Sequence, residues 1–487
     1  MKILIFIEHD IIIRHFVHSG VFSDLAVRHE VKFVFPQPGY KRVRLNVAEQ
    51  GLCAPYRHVT VHQGRLGIWK KLSILNRLRW RSGKHFAILR HSRRQAIGAK
   101  ATAMYAPLAL PGVHQLARSW FMARLGAMPN RDLDTLLDEE RPDVIIHPCV
   151  LDGAFLNDLT LAAKDRGIPF IVIMNSWDNP STKQAMAGRP DYLLVWGEQT
   201  RRHAIDFIGM PPDRVIPFGA AQFDVYRSPP SMSREEFCRV HGIAPSDRIL
   251  LYAGSSKGTN EFAHLVAIDE AVASGRLGAT TVVYRPHPWG DGGHGGERIL
   301  GHPWKNVRIE SSMRGYLERI RAGDTEASYP DYRHTHDVLS SVDAVVSPLS
   351  TILLEAALHG KPALCFLPDE EQEAGHFQLA APMTHFQDMY AMPEFLKARG
   401  RAELLPQLES LLLLVGDAAF AERLKEACTY FIKSWDAPYG ERLVRFIEES
   451  VVHGGHADAR RKLRDVSPEA VAGPPAGTGP ARRTVHP

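Results

Sequence analysis

Short, almost wholly apolar runs recur along this chain in two sets of five. The first is KILIFI (2–7), VKFVF (31–35), PDVIIHP (142–148), PFIVIM (169–174) and DYLLVWG (191–197). The second is RILLYAG (248–254), TTVVYRP (280–286), NVRIES (306–311), DAVVSP (343–348) and PALCFLP (362–368). Helix-like stretches lie between several of them, among them 130–140, 155–167, 259–275 and 350–359. A strand that is apolar on both faces needs cover on both faces, which a parallel sheet flanked by helices provides. The turn-rich segment 219–237 separates the sets. The pattern predicts an α/β chain with two Rossmann-like domains, 1–220 and 221–415, facing across a cleft. Helices are expected over 416–451. The tail 452–487, rich in Gly, Pro, Ala and Arg, is expected to be disordered because it cannot bury a core. In open α/β sheets ligands bind beyond the carboxyl ends of the strands, which directs attention to how the apolar runs end.

One run ends unusually. VVYRPHPWGDGG (282–293) leaves a hydrophobic strand through Arg285 and His287, fenced by prolines, and breaks into glycines. A polar loop accounts for such a sequence. So does an anion site: side chains two apart share one side of an extended strand, Arg offers a planar donor fork, and His a titratable donor.

A second junction is SPLSTILLEAALHGKP (347–362), where a strand ends at Ser347 and a helix is expected from about Ser350. Ser350 is a good N-cap and Thr351 falls in the first turn, beside unpaired backbone N–H groups that suit a phosphate. Glu355, four residues after Thr351 and among apolar neighbours, is placed to meet a ribose diol. An ordinary capped helix with one half-exposed acid is the plainer reading.

This order of strand, Ser-x-x-Ser-Thr, helix with Glu, and Gly-Lys-Pro resembles the donor-binding segment of GT-B glycosyltransferases. RPHP is similar to the His-Pro motif of capsule-polysaccharide transferases, bacterial sialyltransferases and CDP-glycerol glycerophosphotransferases. The resemblance implies that His287 contacts the donor phosphate, with Arg285 beside it, and that Ser347, Ser350, Thr351 and Glu355 belong to the donor site. YAGSS (252–256) resembles the first loop of the same domain and implies that Gly254 and Ser255 lie near the phosphates. Retaining GT-B enzymes often carry two glutamates eight residues apart. Here Ser347 stands eight before Glu355, which points to inversion or to transfer of a non-sugar group.

An inverting transferase needs a base for the acceptor hydroxyl. Candidates end the first-set strands: Glu8, His9 and Asp10, then His147 and Asp152, then Asp178. His9 and Asp178 are favoured, with Glu8 beside them; each also reads as a capping or turn residue. No Asp-x-Asp stands at a strand end, so no catalytic metal and no cofactor are expected. The donor is a nucleoside diphosphate or monophosphate sugar taken as substrate.

The net charge of +5 conceals an asymmetry. Residues 50–131 hold fifteen Lys or Arg and neither Asp nor Glu, leaving −10 on the rest. An anionic partner follows: a membrane surface, a lipid-linked or polyanionic acceptor. Within 65–86, Ile68, Leu72 and Leu75 fall on one helical face with Trp69 and Trp80 nearby and Lys70, Lys71, Arg77, Arg79 and Arg81 around them. That profile fits an interfacial helix; a core-packing helix with a basic outer side is the alternative. No nucleic-acid-binding motif is present. Five separated cysteines without a CxxC pair fit a reducing compartment. The N-terminal run reads as a strand rather than a signal peptide, so a cytoplasmic protein at the inner face of the plasma membrane is expected. A non-hydrolysing nucleotide-sugar epimerase and a catalytically inactive lipid- or nucleotide-binding scaffold remain open.

Overall fold

The computed structural model describes residues 1–183, 186, 188–255, 260–287, 296–324, 327, 329–368 and 381–452. The tail beyond 452 lies outside them, as do Ser256 of the YAGSS loop and Pro288 of RPHP. The chain divides into two compact units, 1–441 and 442–487. The described residues of the second are helical.

Both sheets belong to the first unit. The N-terminal sheet contains β1 (Lys2–Phe6), β2 (Glu30–Pro36), β3 (Tyr56–Val59), β4 (Val144–Cys149), β5 (Phe170–Met174), β6 (Tyr192–Val195) and β7 (Val215–Pro217). Its order is β3-β2-β1-β4-β5-β6-β7, with every pair parallel. The C-terminal sheet contains β8 (Arg248–Ala253), β9 (Thr280–Arg285), β10 (Val307–Ile309), β11 (Ala344–Pro348), β12 (Ala363–Leu367) and β13 (Leu396–Arg399), again all parallel, in the order β10-β9-β8-β11-β12-β13. In each sheet the winding reverses beside the first strand, at β1/β4 and at β8/β11. Connections leave to opposite sides there, so a crevice opens above the strand ends. The central strands are buried on both faces, as their unbroken apolar sequences require.

Between β3 and β4 the acid-free segment folds as helices α1 (Gln63–Leu78), α2 (Lys84–Tyr105, kinked at Gly98) and α3 (Val113–Gly126). The apolar face of α1 faces inward rather than outward. Ile68, Leu72 and Leu75 join Tyr105, Phe121 and Leu125 in a core of their own. Trp69 is buried there too and donates from Nε1 to Asp158 Oδ1 at 2.8 Å. Asp158 belongs to α4 (Ala154–Arg166) and also accepts from Arg65 Nε at 2.8 Å and Asn130 Nδ2 at 2.7 Å. One buried carboxylate from outside the segment thus anchors it to the sheet. The interfacial helix expected over 65–86 is corrected on two counts: it breaks after Leu78, and its apolar side is core.

Candidate functional site

The carboxyl ends of β1, β4 and β5 and those of β8, β9 and β11 open onto one cavity of about 500 Å³. A larger cavity of about 740 Å³ lies alongside and shares Pro330 with it. Its floor is Phe16, Phe22 and Phe33, and two of its charged side chains are spent on neighbours: Arg319 donates to Asp324 at 2.8 Å and His334 pairs with Asp331 at 3.2 Å. The smaller cavity, where cations and hydrogen-bonding groups from both sheets converge, is the candidate site.

From the C-terminal side, Arg285 ends β9 and reaches the cavity with its charge already partnered. Nη1 donates to Glu310 Oε2 at 2.8 Å and Nη2 to Thr335 Oγ1 at 3.0 Å. Glu310 in turn caps α5 (Ser311–Arg321), accepting from the N–H groups of Ser312 and Met313. His287 follows in the cavity wall. Burial, with the cations of Arg14 and Arg285 nearby, brings its imidazole down to about 4, so it is neutral at pH 7. Gly254 N–H donates to Arg285 O at 2.9 Å, and a Cβ on Gly254 would sit 2.6 Å from Glu261 Oε2. Only glycine allows that approach.

The following helix is α6 (Ile352–Leu358), with Thr351 rather than Ser350 at its cap position and no side-chain cap bond. The expectation that Ser350 caps it is therefore corrected: the chain enters the helix one residue later. Ser350 and Thr351 still line the cavity, and Trp177 Nε1 donates across the cleft to Thr351 Oγ1 at 3.2 Å. Glu355 lines it from inside α6. Its Oε2 accepts from Tyr226 Oη at 2.5 Å, and burial raises its pKa.

From the N-terminal side come His9, Arg14, Arg42, Asp152, Asp178 and Lys183. His9 Nδ1 accepts from Ile11 N–H at 3.1 Å, which assigns the ring proton to Nε2. Burial, with Arg42, Arg44 and Lys183, lowers its pKa to about 4. A neutral ring with its acceptor nitrogen spent is a donor to a ligand, not a base. Asp178 accepts from Ser176 Oγ at 2.6 Å and Thr182 Oγ1 at 3.0 Å. Burial opposes its charge, but His385, Lys183 and those hydroxyls outweigh it and hold the pKa low. Asp152 is the more open carboxylate: it is one-third exposed, with Arg77 Nη2 at 3.6 Å. Arg14 bridges the cleft, donating to Pro330 O at 2.8 Å with its guanidinium 4.2 Å from the Tyr332 ring centroid.

The cavity thus gathers His9, Asp178, Gly254, Arg285, His287, Ser350, Thr351 and Glu355 from the expected set. Asp152, also a candidate base, joins them, whereas five others do not line it: Asp10 accepts from the N–H groups of Arg44 and Leu45, His147 is buried against Phe6 O, and Glu8, Ser347 and Ser255 turn to neighbours. Glu8 points under α4, accepting from Ala154 N–H at 2.8 Å, Phe155 N–H at 3.0 Å and Tyr40 Oη at 3.1 Å. It is a buried helix cap, and Gly153 at φ +151° leaves room for its carboxylate. Ser347 is buried and donates to backbone carbonyls of Ala253 and Pro348. Ser255 turns its N–H to Glu261 Oε1 at 2.7 Å. Among the basic residues, Lys70, Lys71 and Arg79 are exposed. Arg77 and Arg81 tie the insertion down instead, Arg77 onto Lys183 O and Asp152, Arg81 onto the carbonyls of Asp206 and Phe207. Arg14, Arg42 and Lys183 went unremarked in the sequence because no spacing marks them; Arg14 enters from the short helix Ile13–Val17, Arg42 and Lys183 from turns.

Solved structures share this architecture. UDP-GlcNAc 2-epimerase from Neisseria meningitidis, bound to UDP-GlcNAc, superposes with a TM-score of 0.50 at 12% identity, over 92% of this chain and 100% of that one. S. aureus MnaA in a co-structure with UDP gives 0.49 at 12% identity, over 92% and 96%. WaaG, a glycosyltransferase involved in lipopolysaccharide biosynthesis, gives 0.43 at 11% identity, over 92% and 100%. No protein-family model and no curated protein matches the chain. Likeness at such identities speaks of fold alone, and the superposition on the Neisseria meningitidis structure gives this chain the GT-B fold.

Proposed function

We propose that this protein is a glycosyltransferase that moves a sugar or related group from a nucleotide-activated donor to a lipid-linked or polyanionic surface-glycan acceptor, with inversion and without a catalytic metal. The observation that carries the reading is the meeting of Arg14, Arg42, Lys183 and Arg285 with His287 in one cavity at two switch points. Such a set suits a diphosphate whose charge grows as the glycosidic bond breaks. His287, Ser350 and Thr351 face the phosphates, and Glu355, steadied by Tyr226, takes the ribose diol. The donor then occupies the C-terminal side and the acceptor hydroxyl approaches from the N-terminal side. Asp152 is the base: it faces the cavity, is partly exposed, and spends less of its carboxylate on neighbours than Asp178 does. The acceptor oxygen attacks the anomeric carbon, the bond to the nucleotide phosphate breaks, and the proton passes to Asp152. Asp178 fixes the 176–182 turn, and His9 Nε2–H donates to the acceptor or the transferred group.

A nucleotide-sugar epimerase would use the same cleft with no acceptor. Incubation with a nucleotide-sugar panel, with and without membrane extract, separates the two. Acceptor-dependent release of free nucleotide supports transfer; interconversion of the sugar without acceptor overturns it. The basic segment and a soluble donor fit a reaction at the cytoplasmic face of the plasma membrane. Among the described residues no single helix is long and apolar enough to cross a membrane.

A further inference from the structure

Helix α3 turns His114, Phe121 and Leu125 into the core of the helical insertion. Its opposite face carries Val113, Leu116 and Trp120, three and four residues apart and therefore in one stripe. Leu116 is 74% and Trp120 54% exposed. The stripe continues beyond the helix. Trp80 N–H donates to Ala109 O at 3.1 Å, which sets Trp80, 59% exposed, beside exposed Leu110 just before α3. Large side chains left in water in a contiguous row are uncommon on a protein that has no use for them.

Arginines stand beside the row. The Arg124 guanidinium lies 5.0 Å from the Trp120 ring centroid and that of Arg90 4.7 Å from Trp80. Burial lowers the His114 imidazole to about 4, and Arg79 and Arg118 stand near enough to add to the effect. No carboxylate of the segment 50–131 offsets this charge, because the segment has none. An apolar row with a tryptophan toward each end and arginines beside it complements one surface best: acyl chains beneath anionic headgroups. We infer that this face, and not the apolar side of α1, docks the protein on an anionic bilayer, with α3 lying flat in the interface.

The face is tied to the cleft. Arg77, near the end of α1 and three residues before Trp80, donates to Lys183 O and meets Asp152 at 3.6 Å, and both of these residues line the cavity. Docking therefore holds the N-terminal rim of the cleft at a fixed height over the membrane. The inference does not depend on the reaction proposed above; an epimerase or a scaffold would dock in the same way.

Sedimentation of the full chain with vesicles tests it. The wild type is expected to pellet with phosphatidylcholine vesicles containing phosphatidylglycerol at low salt, to be released by high salt, and to ignore phosphatidylcholine alone. Leu116→Ser/Trp120→Ser is expected to lower partitioning by about tenfold or more, and Arg79→Glu/Arg124→Glu by a similar factor. All four side chains are exposed, so an unchanged melting temperature checks that the variants fold. Three results overturn the proposal: a wild type that stays in the supernatant with anionic vesicles at low salt, a Leu116→Ser/Trp120→Ser protein that folds and pellets like the wild type, or a wild-type dimer that this variant dissolves while neither protein pellets. The last result would mark the face as a self-association surface.

Discussion

Arg285 and Glu310 form a buried ion pair at 2.8 Å, and the same Glu310 carboxylate caps α5. The arginine that the sequence offers as a phosphate ligand is therefore also the counter-ion of a carboxylate that water cannot reach. Removing one partner of such a pair leaves the other charged and unpaired, at a cost of about 3–5 kcal/mol. Arg285→Ala is expected to lower stability by that order in urea denaturation. Arg285→Met/Glu310→Gln should restore most of it, since Gln still accepts from the α5 N–H groups. An Arg285→Ala protein as stable as the wild type would contradict this.

His287 allows a cleaner test of the ligand. It lines the cavity and is neutral at pH 7, so its loss removes no cation from the site. His287→Ala is expected to weaken binding of the preferred nucleotide by about 1.5–3 kcal/mol, the worth of one hydrogen bond to a charged group. Calorimetric titration checks this. Equal affinity for every nucleotide that the wild type binds would remove His287 from the phosphate site.

The two cavity aspartates should separate kinetically. Asp152→Asn is expected to lower kcat by about 10²–10⁴-fold with the donor KM little changed, as loss of a general base does. Asp178→Asn disturbs the hydroxyls of Ser176 and Thr182 and is expected to raise KM and lower kcat together. If Asp178→Asn alone shows the pure kcat loss, the base has been assigned to the wrong residue.

Acid should destabilise the fold. His147 is fully buried, donates from Nδ1 to Phe6 O at 2.8 Å, and is brought down to about 4 by burial. The unfolded imidazole takes a proton near pH 6.5. The stability from keeping His147 neutral is therefore full above pH 6.5 and is lost as pH falls from there toward 4. His9 and His287, also at about 4, act in the same direction. Glu8 acts in the opposite one. Burial raises it to about 7, so its contribution is present below pH 4.5 and is lost as pH rises from 4.5 through 7. Denaturation midpoints are expected to fall between pH 6.5 and 4.5. His147→Gln should reduce the slope by about one proton, or ~1.4 kcal/mol per pH unit. A slope unchanged in that variant would mean that His147 is charged in the folded protein.

The central strands and the double winding are legible in the sequence because buried parallel strands must be apolar throughout. The strands that escaped are β3, β7 and β13, which stand at sheet edges. Tyr56–Val59 exposes three of its four residues, Val215–Pro217 has three residues in all, and Leu396–Arg399 alternates with charge. An edge strand needs hydrogen bonds on one side only and little burial, so composition leaves no mark on it. The site divides in the same way. Arg285 and His287 stand where a strand stops, and that position is visible in a string of letters. Arg14 reaches the cavity from a short helix and Arg42 from a turn, Tyr226 meets Glu355 from a 3-10 helix, and nothing local distinguishes them from surface residues. Glu8 and Ser347 show the converse. They too end strands, but their side chains satisfy buried backbone groups next to the site, a use that spacing does not separate from catalysis. In the basic segment, charge was readable without a structure, whereas the apolar face left outside was not. The α1 stripe and the α3 stripe have the same helical periodicity, and only packing decides which is buried.

The most direct measurement of the central claim is nucleotide release by the purified protein from a panel of nucleotide sugars, with and without membrane extract, with and without EDTA. The account predicts that one donor yields free nucleotide only when extract is present, that EDTA leaves the rate unchanged, and that the label moves to the lipid or glycan fraction. Conversion of the sugar with no extract present, or dependence on added Mg²⁺ or Mn²⁺ after EDTA, would contradict it.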